Sequence, residues 1–521
     1  MATSLVASLG RTAADLRTTA PTLTPADAAA ALQLCSEIIT LLRPHASHVD
    51  RHMHKRSPVT ATTEPFGLCS LPPDVLARII SLLPSTEDVG RLDCVSRAFH
   101  PKPPGSVLEE GLRLRAMQRG HSVAMMLPAG QWSWVQALCW DERRRRYGGH
   151  GVVADGNACL SAFVDAAGRL LTCGTEDEEE DHGGFLGHGE HVHELLTPTA
   201  IDGTSAVAMS SVAAGHDHIL ALSEGGAVYS FGYGGSGAHG HGNEDQHSPA
   251  VIKALQGVRF CGIAAGMCYS LAVSEAGAVY SFGCGDSGAL GHGHELDQHI
   301  PKIIAWPQQG VRICAVSAGD GHSLTLSEEG VVYSFGCGEN GKLGHGNQKD
   351  YHAPTCIKAL KHVRICAVSA GCSHSLLLSE AGTVYSFGKV DHGRLGHGSE
   401  CEPGTPMVVE ALEGVGICAI SAGGHHSLVL SKAGAIYSFG CGENGQLGHG
   451  DTEDQHTPKR IIALRDVQVC ACTACPHHSL VKSDTGAIYS FGFGDAQLGH
   501  GKLSGNQLTP RALRETYREI S

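Results

Sequence analysis

The tripeptide Gly-His-Gly recurs through the second part of this chain, with its histidine at His188, His241, His292, His345, His397, His449 and His500, a spacing that stays within 51–53 residues. A constant period of that length marks a repeat architecture, in which each copy is one supersecondary unit that buries its faces only by stacking on its neighbours. Two further segments keep step with it. Val332-Tyr333-Ser334-Phe335-Gly336 has counterparts around Tyr229, Tyr280, Tyr385, Tyr437 and Tyr489, with Leu170-Leu171-Thr172-Cys173-Gly174 as a divergent first copy. Before it runs Ala-Gly-x-x-His-Ser-Leu, clearest from Gly319 to Leu324. Within one unit, residues 312–318, 322–327, 331–335 and 354–360 are short, rich in β-branched or aromatic side chains and bounded by Gly, Pro or Asn, which reads as four strands. Four strands in about 50 residues make a propeller blade, and seven packed radially leave only short, protected edges. The expected fold over 149–521 is therefore an all-β seven-bladed β-propeller, preceded by a small α-helical N-terminal region.

These three segments resemble the repeat of the regulator of chromosome condensation family, in which a Gly-x-x-His-(Ser/Thr)-Leu strand, a Val-Tyr-x-(Phe/Trp)-Gly strand and a Gly-x-Leu-Gly-x-Gly turn recur at this period. The resemblance covers about 370 residues and implies a seven-bladed propeller around a central channel. A partner has to be argued from a site, because a fold hosts many functions.

Charge is unevenly placed. Residues 1–149 carry 17 Lys and Arg against 13 Asp and Glu, whereas 150–521 carry 21 against 39. An acidic repeat region is a poor general surface for phosphate backbones, whose affinity comes from Lys and Arg, so proteins are the expected partners and nucleic acid is not. The 20 cysteines sit mostly in apolar strand-like runs and read as small buried residues of a reducing compartment, cytoplasm or nucleus. No stretch approaches the roughly 18 apolar residues of a membrane helix, and no membrane partner is expected.

The front of the chain divides into an extension and linker over 1–64, a helical pair over 65–100 and a further helical lobe over 101–148. The first 24 residues read as a disordered extension, with an organelle transit peptide as the alternative. A capped helix follows from Thr24, and the basic cluster at 51–56 reads as solvated linker. In the segment opening Leu71-Pro72-Pro73-Asp74, apolar residues at 75, 76, 79, 80 and 83 share one helical face. After Pro84, Ser85 caps a second helix whose stripe is Val89, Leu92, Val95 and Phe99. This pattern looks like an F-box, which docks on the small adaptor subunit of a cullin-type ubiquitin ligase. The resemblance spans about 30 residues and implies contact through Leu71, Pro72, Leu76, Ile80, Leu83, Val89 and Leu92; the alternative is a hairpin that buries its stripe within the chain. Trp132, Trp134 and Trp140 read as core of the helical lobe, and the arginines at 143–146 as a solvated helix end.

The abundant His and Cys invite a metal reading, but equivalent turns on different blades lie too far apart to share an ion. Both histidine series, the Gly-His-Gly one and His218, His322, His374, His426 and His478 with Tyr269 as the exception, are expected to be structural, their imidazoles satisfying backbone groups at the turns. Cys470, Cys472 and Cys475 contain a Cys-x-x-Cys, yet the repeat alignment puts the first two on a strand and the third at a glycine position. No metal, cofactor or catalytic residue is expected, and the chain is read as non-enzymatic. Departures from the repeat are the remaining candidates for partner contact: Glu178 and Glu179 in the acidic run 176–181, expected to be an exposed loop, and Trp306, Lys389 and Asp391. The expected function is a substrate-recognition adaptor of a cullin-type ubiquitin ligase. The alternatives are exchange on a small GTPase, a chromatin-associated role, or a plain scaffold. Exchange in the family uses a hairpin inserted in one blade, for which the even spacing leaves little room; light sensing, as in plant relatives, needs a tryptophan cluster where this repeat region has Trp306 alone.

Overall fold

The structure is a computed structural model, and it describes residues 153–155, 160–165, 167–176, 185–204, 207–398, 404–494, 496–502 and 505–513. The expected helical region, including every F-box-like residue from Leu71 to Leu92, lies outside the described residues, as do Glu178 and Glu179. The described chain forms seven four-stranded antiparallel sheets, each built from one contiguous stretch. Blades 1 to 7 span 153–200, 209–251, 260–303, 313–356, 365–408, 417–460 and 469–512.

Blade 4 shows the plan. Its strands are Ile313–Ala318, His322–Ser327, Val332–Gly336 and Tyr351–Cys356, paired in that order. First strands of adjacent blades approach one another around the axis and so line the central channel, while fourth strands form the rim. The first strand pairs with the second through a bulge between Ile313 and Ala315, which adds local twist. The second strand, His-Ser-Leu-Thr-Leu-Ser, is buried at all six positions, because both faces of a mid-blade strand meet neighbouring sheets. The cores accordingly lie between blades. Leu324, Leu326 and Val332 of blade 4 pack with Ile365, Leu377 and Phe387 of blade 5, and the other junctions repeat the pattern. Each fully buried phenylalanine of this set contributes roughly 1.5–3 kcal/mol of burial free energy.

The fourth strand lies earlier than the pattern predicts. Residues 351–356 pair with the third strand, and Lys358–Leu360 forms a 3-10 turn. Ile357 and Leu360 are both buried, and at a separation of three residues one tight turn brings them to the same side. Reading that apolar pair as strand placed the element too late.

The ring closes between blades 7 and 1 with altered chemistry. Cys173 stands where the other blades carry phenylalanine, and it packs with Phe163, Leu171, Cys475 and Leu480. Pro198 of blade 1 fills space beside Gly499 of blade 7. Since no strand is exchanged across this seam among the described residues, side-chain packing and hydrogen bonds hold it.

Candidate interaction face and its histidine–serine scaffold

The recurrent histidines are resolved by their partners. At five of the seven junctions, the second-strand histidine sends Nε2 to a serine hydroxyl on the next blade: His218 to Ser270 at 2.7 Å, His322 to Ser375 at 3.0 Å, His374 to Ser427 at 2.9 Å and His426 to Ser479 at 2.8 Å. His478 reaches Ser161 at 2.8 Å across the seam, whereas the junction of blades 1 and 2 has Leu160 and Ile219 at the matching positions. Serines 270, 375, 427 and 479 also donate to a carbonyl of the preceding blade, as Ser427 Oγ does to Arg394 O at 2.7 Å. A hydroxyl has one proton to give, so the imidazole is the donor to it and is neutral at Nδ1. In blade 3, Tyr269 replaces histidine and still meets the same next-blade serine: Ser323 Oγ lies 3.0 Å from its hydroxyl, which donates to His322 O at 2.6 Å. Burial pushes His218, His322, His426 and His478 down to about 3, and His374 well below its ordinary value.

The Gly-His-Gly histidines do the same within a blade. His345 Nε2 lies 2.9 Å from Ser334 Oγ, which donates to Leu343 O at 2.7 Å; the other turns repeat this, with Thr172 in the serine role for His188. The imidazoles thus reach the backbone through a hydroxyl relay, and His241 and His397 also bond backbone directly, at Ala250 and Val408.

The cysteine motif is dispersed. Cys472 packs with Val481 and Phe491 on the blade 6 side, whereas Cys475 packs with Cys173 and Phe163 on the blade 1 side. Glu176 departs from the exposed loop expected of 176–181: it is buried, and its carboxylate accepts the Leu186 N–H at 2.7 Å.

In an antiparallel four-stranded blade, the first–second and third–fourth connections emerge at one end and the other connections at the opposite end. Lys389 and Asp391 lie in a third–fourth connection, beside the Gly-His-Gly turns, and form an ion pair at 2.9 Å. That contact holds the Asp391 carboxyl below the usual carboxylate range. Trp306 follows a fourth strand and therefore sits at the opposite face, its ring edge-on to Tyr333 at 5.4 Å. The two candidate sets cannot contact the same patch of a partner.

The Gly-His-Gly face carries a set of charged and aromatic side chains. Asp286, Asp320 and Glu339 are exposed and Asp217 half-buried on blades 2 to 4. On blades 5 to 7 the corresponding arc is Lys389, His392, His425, His477 and Phe493, with successive ring centroids of His392, His425, His477 and Phe493 about 6 Å apart, at 6.3, 5.9 and 6.3 Å. Burial, Arg394 and the neighbouring histidines push His425 down to about 4, and burial lowers His477. Met267 and Phe493 are exposed apolar residues of the same face. Exposed acids recur around this face, with Asp391 and Glu443 at the turn position of Asp286 and Glu339, and blades 5 to 7 add the aromatic run. Sequence reasoning reached Lys389 and Asp391 as departures from the repeat, but missed His425, His477 and Phe493, which hold loop positions beside strongly patterned residues.

Residues 235–520 match the family model described as the RCC1-like domain, and residues 209–238 match the regulator of chromosome condensation (RCC1) repeat. The chain belongs to the RCC1-like domain family. Members of this family are in general non-enzymatic protein-interaction modules, which agrees with a face built for contact. The ultraviolet-B receptor UVR8 of Arabidopsis thaliana is 35% identical over 294 residues, covering 56% of this chain and 67% of the receptor. The human E3 ubiquitin-protein ligase HERC2 is 36% identical over 325 residues, 61% of this chain but 7% of the ligase. Among solved structures, Prp20p from Saccharomyces cerevisiae superposes with a TM-score of 0.59 at 24% identity, covering 72% of this chain and 89% of that one; at that identity the likeness is one of fold.

Proposed function

We propose that this RCC1-like propeller is the substrate-recognition part of a cullin-type ubiquitin ligase adaptor, with the F-box-like segment around Leu76, Ile80 and Leu92 holding the ligase and the Gly-His-Gly face holding the target. The observation that carries the recognition half is the separation of roles within each blade: His, Ser and Gly are spent on junctions and turns, while the Gly-His-Gly face exposes acids together with the aromatic run ending in Phe493. The acidic arc of Asp217, Asp286, Asp320 and Glu339 suits a basic segment of the target, and the arc ending in Phe493 suits its apolar side chains. The ligase half is supported by the Leu71-Pro72 pattern and by its place ahead of the propeller. Relatives that carry such propellers include ligases, HERC2 among them.

Full-length protein should co-purify with the F-box-binding adaptor subunit, and replacing Leu76 and Ile80 together by Ala should abolish this while leaving the propeller's melting transition in place. Absence of binding by the full chain would refute the ligase half. Target capture should then be lost on Asp320→Lys with Glu339→Lys and retained on Leu76→Ala with Ile80→Ala. Exchange on a small GTPase has no structural support here, since among the described residues every blade is a plain four-stranded sheet.

A further inference from the structure

Where blade 5 meets blade 6 on the Gly-His-Gly face, three residues from separate stretches converge. The ligating atoms of His392, Cys441 and Asp454 all lie within 4.8 Å of one another. His392 Nδ1 is 2.8 Å from Asp454 Oδ2, and Asp454 Oδ1 accepts the Gly442 N–H at 2.8 Å, which anchors the carboxylate and leaves its other oxygen facing the histidine. Cys441 is buried beneath them, while His392 and Asp454 are partly open to solvent.

The fold does not need histidine at position 392. It occupies a turn at φ 61°, where blades 3 and 4 carry Ser287 at 53° and Asn340 at 57°. Left-handed backbone is better tolerated by asparagine, aspartate and histidine than by most residues, so the turn accepts histidine without requiring it. The corresponding contact between blades 6 and 7 is made by Asn506 Nδ2 donating to Asn444 Oδ1 at 3.2 Å. An amide pair therefore suffices to join these turns; the thiol and carboxylate recur on blade 3 as Cys284 with Asp297 and on blade 4 as Cys337 with Asp350, and the junction of blades 5 and 6 adds an imidazole to them.

We infer that His392, Cys441 and Asp454 form a binding site for a zinc-like divalent transition metal, with its fourth position open to water or to a side chain of a bound partner. Sulfur and imidazole donors select such an ion over magnesium or calcium. With metal–sulfur distances of about 2.3 Å and metal–nitrogen or –oxygen distances of about 2.0–2.1 Å, tetrahedral ligand atoms stand roughly 3.3–3.7 Å apart. The histidine–aspartate pair must open by roughly half an ångström and the widest pair close by about 1 Å, movements within reach of side-chain torsions. Coordination replaces the thiol proton of Cys441, which leaves to solvent. The resulting thiolate and Asp454 carboxylate together offset the dication beside the Arg394 guanidinium, which lies near enough to feel both groups. His425, with its ring 6.3 Å from that of His392 and its Nδ1 buried without a hydrogen-bond partner, is the adjacent side chain able to turn toward the open position.

The test uses the full chain, stripped of metal with a chelator and titrated with Co2+ and then Zn2+. One equivalent of Co2+ should produce a thiolate-to-metal charge-transfer band that Zn2+ removes. His392→Asn, Cys441→Ser and Asp454→Asn should each weaken binding by at least about tenfold, the lower end of what outer-sphere changes already cost such sites, and Cys441→Ser should abolish the band. The asparagine variants copy residues that other blades use at these positions, so their metal-free melting should match that of the unmodified protein. A missing thiolate band, or unchanged affinity in the His392→Asn, Asp454→Asn double variant, would overturn the assignment. Either result leaves the proposed adaptor function untouched.

Discussion

Ser427 receives a hydrogen bond from His374 and gives one to Arg394 O, so one small hydroxyl on blade 6 joins two points of blade 5. Ser427→Ala leaves the buried His374 Nε2 and the carbonyl both short of a partner. Unmatched buried groups cost about 1–3 kcal/mol, and the variant should show a lower denaturant midpoint with an unchanged slope. An unaltered midpoint would mean that solvent or a rearranged neighbour restores the bonds. At this scale the sequence was half legible. The histidine and the serine both stand out in Ala-Gly-x-x-His-Ser-Leu, but the histidine's partner is the serine of the next copy, 53 residues on. A repeat in sequence displays which residues recur and hides which copy each one touches. Tyr269 makes the same point: it looks like a broken motif, yet its hydroxyl reaches the same next-blade serine and the backbone of the residue before it.

At the scale of a strand or turn, glycine is placed by its neighbours. In the turn Gly344-His345-Gly346, Gly344 has φ 77°, and a β-carbon there would lie 2.9 Å from the Phe387 ring of the next blade. Gly371 is constrained by space alone: a β-carbon would stand 2.4 Å from Gly423 O and 2.9 Å from the His374 ring. Gly371→Ala should therefore cost about 1–3 kcal/mol through overpacking, read as a lower melting temperature, and should weaken the junction of blades 5 and 6 more than any exposed-turn substitution. Blade 7 carries Cys475 at the matching position, so the demand comes from the adjoining blade and is relaxed where that blade is the divergent first copy. Second and third strands were legible almost to the residue, because their alternation is strong and their ends are marked by glycine. The fourth was not, because Ile357 and Leu360 look like strand residues while they serve a 3-10 turn.

Across the whole molecule, five buried imidazoles are spread around the ring, His218, His322, His426 and His478 with folded-state values of about 3 and His374 well below its ordinary value. Above about pH 7 both folded and unfolded chains hold them neutral, and their contribution to stability is complete. As the pH falls below the ordinary histidine value of about 6.5, the unfolded chain takes up protons that the folded ring refuses, and each histidine then removes up to about 1.4 kcal/mol per pH unit. The melting temperature should accordingly be level from pH 8 to 7 and fall steeply between pH 6 and 4. A flat profile through that range would show that the rings titrate normally in the folded state.

The period of the Gly-His-Gly turns by itself determined the blade count, the four-strand unit and the structural character of most histidines, since each follows from local pattern and from the need of a sheet to cover both its faces. Only the tertiary structure decided that Trp306 and Lys389 stand on opposite faces, that the Cys-x-x-Cys residues turn to different blades, and that His392 meets Cys441 and Asp454. Those facts depend on which ends of which strands share a face and which copies touch, relations between residues tens to hundreds of positions apart that a one-dimensional pattern does not encode.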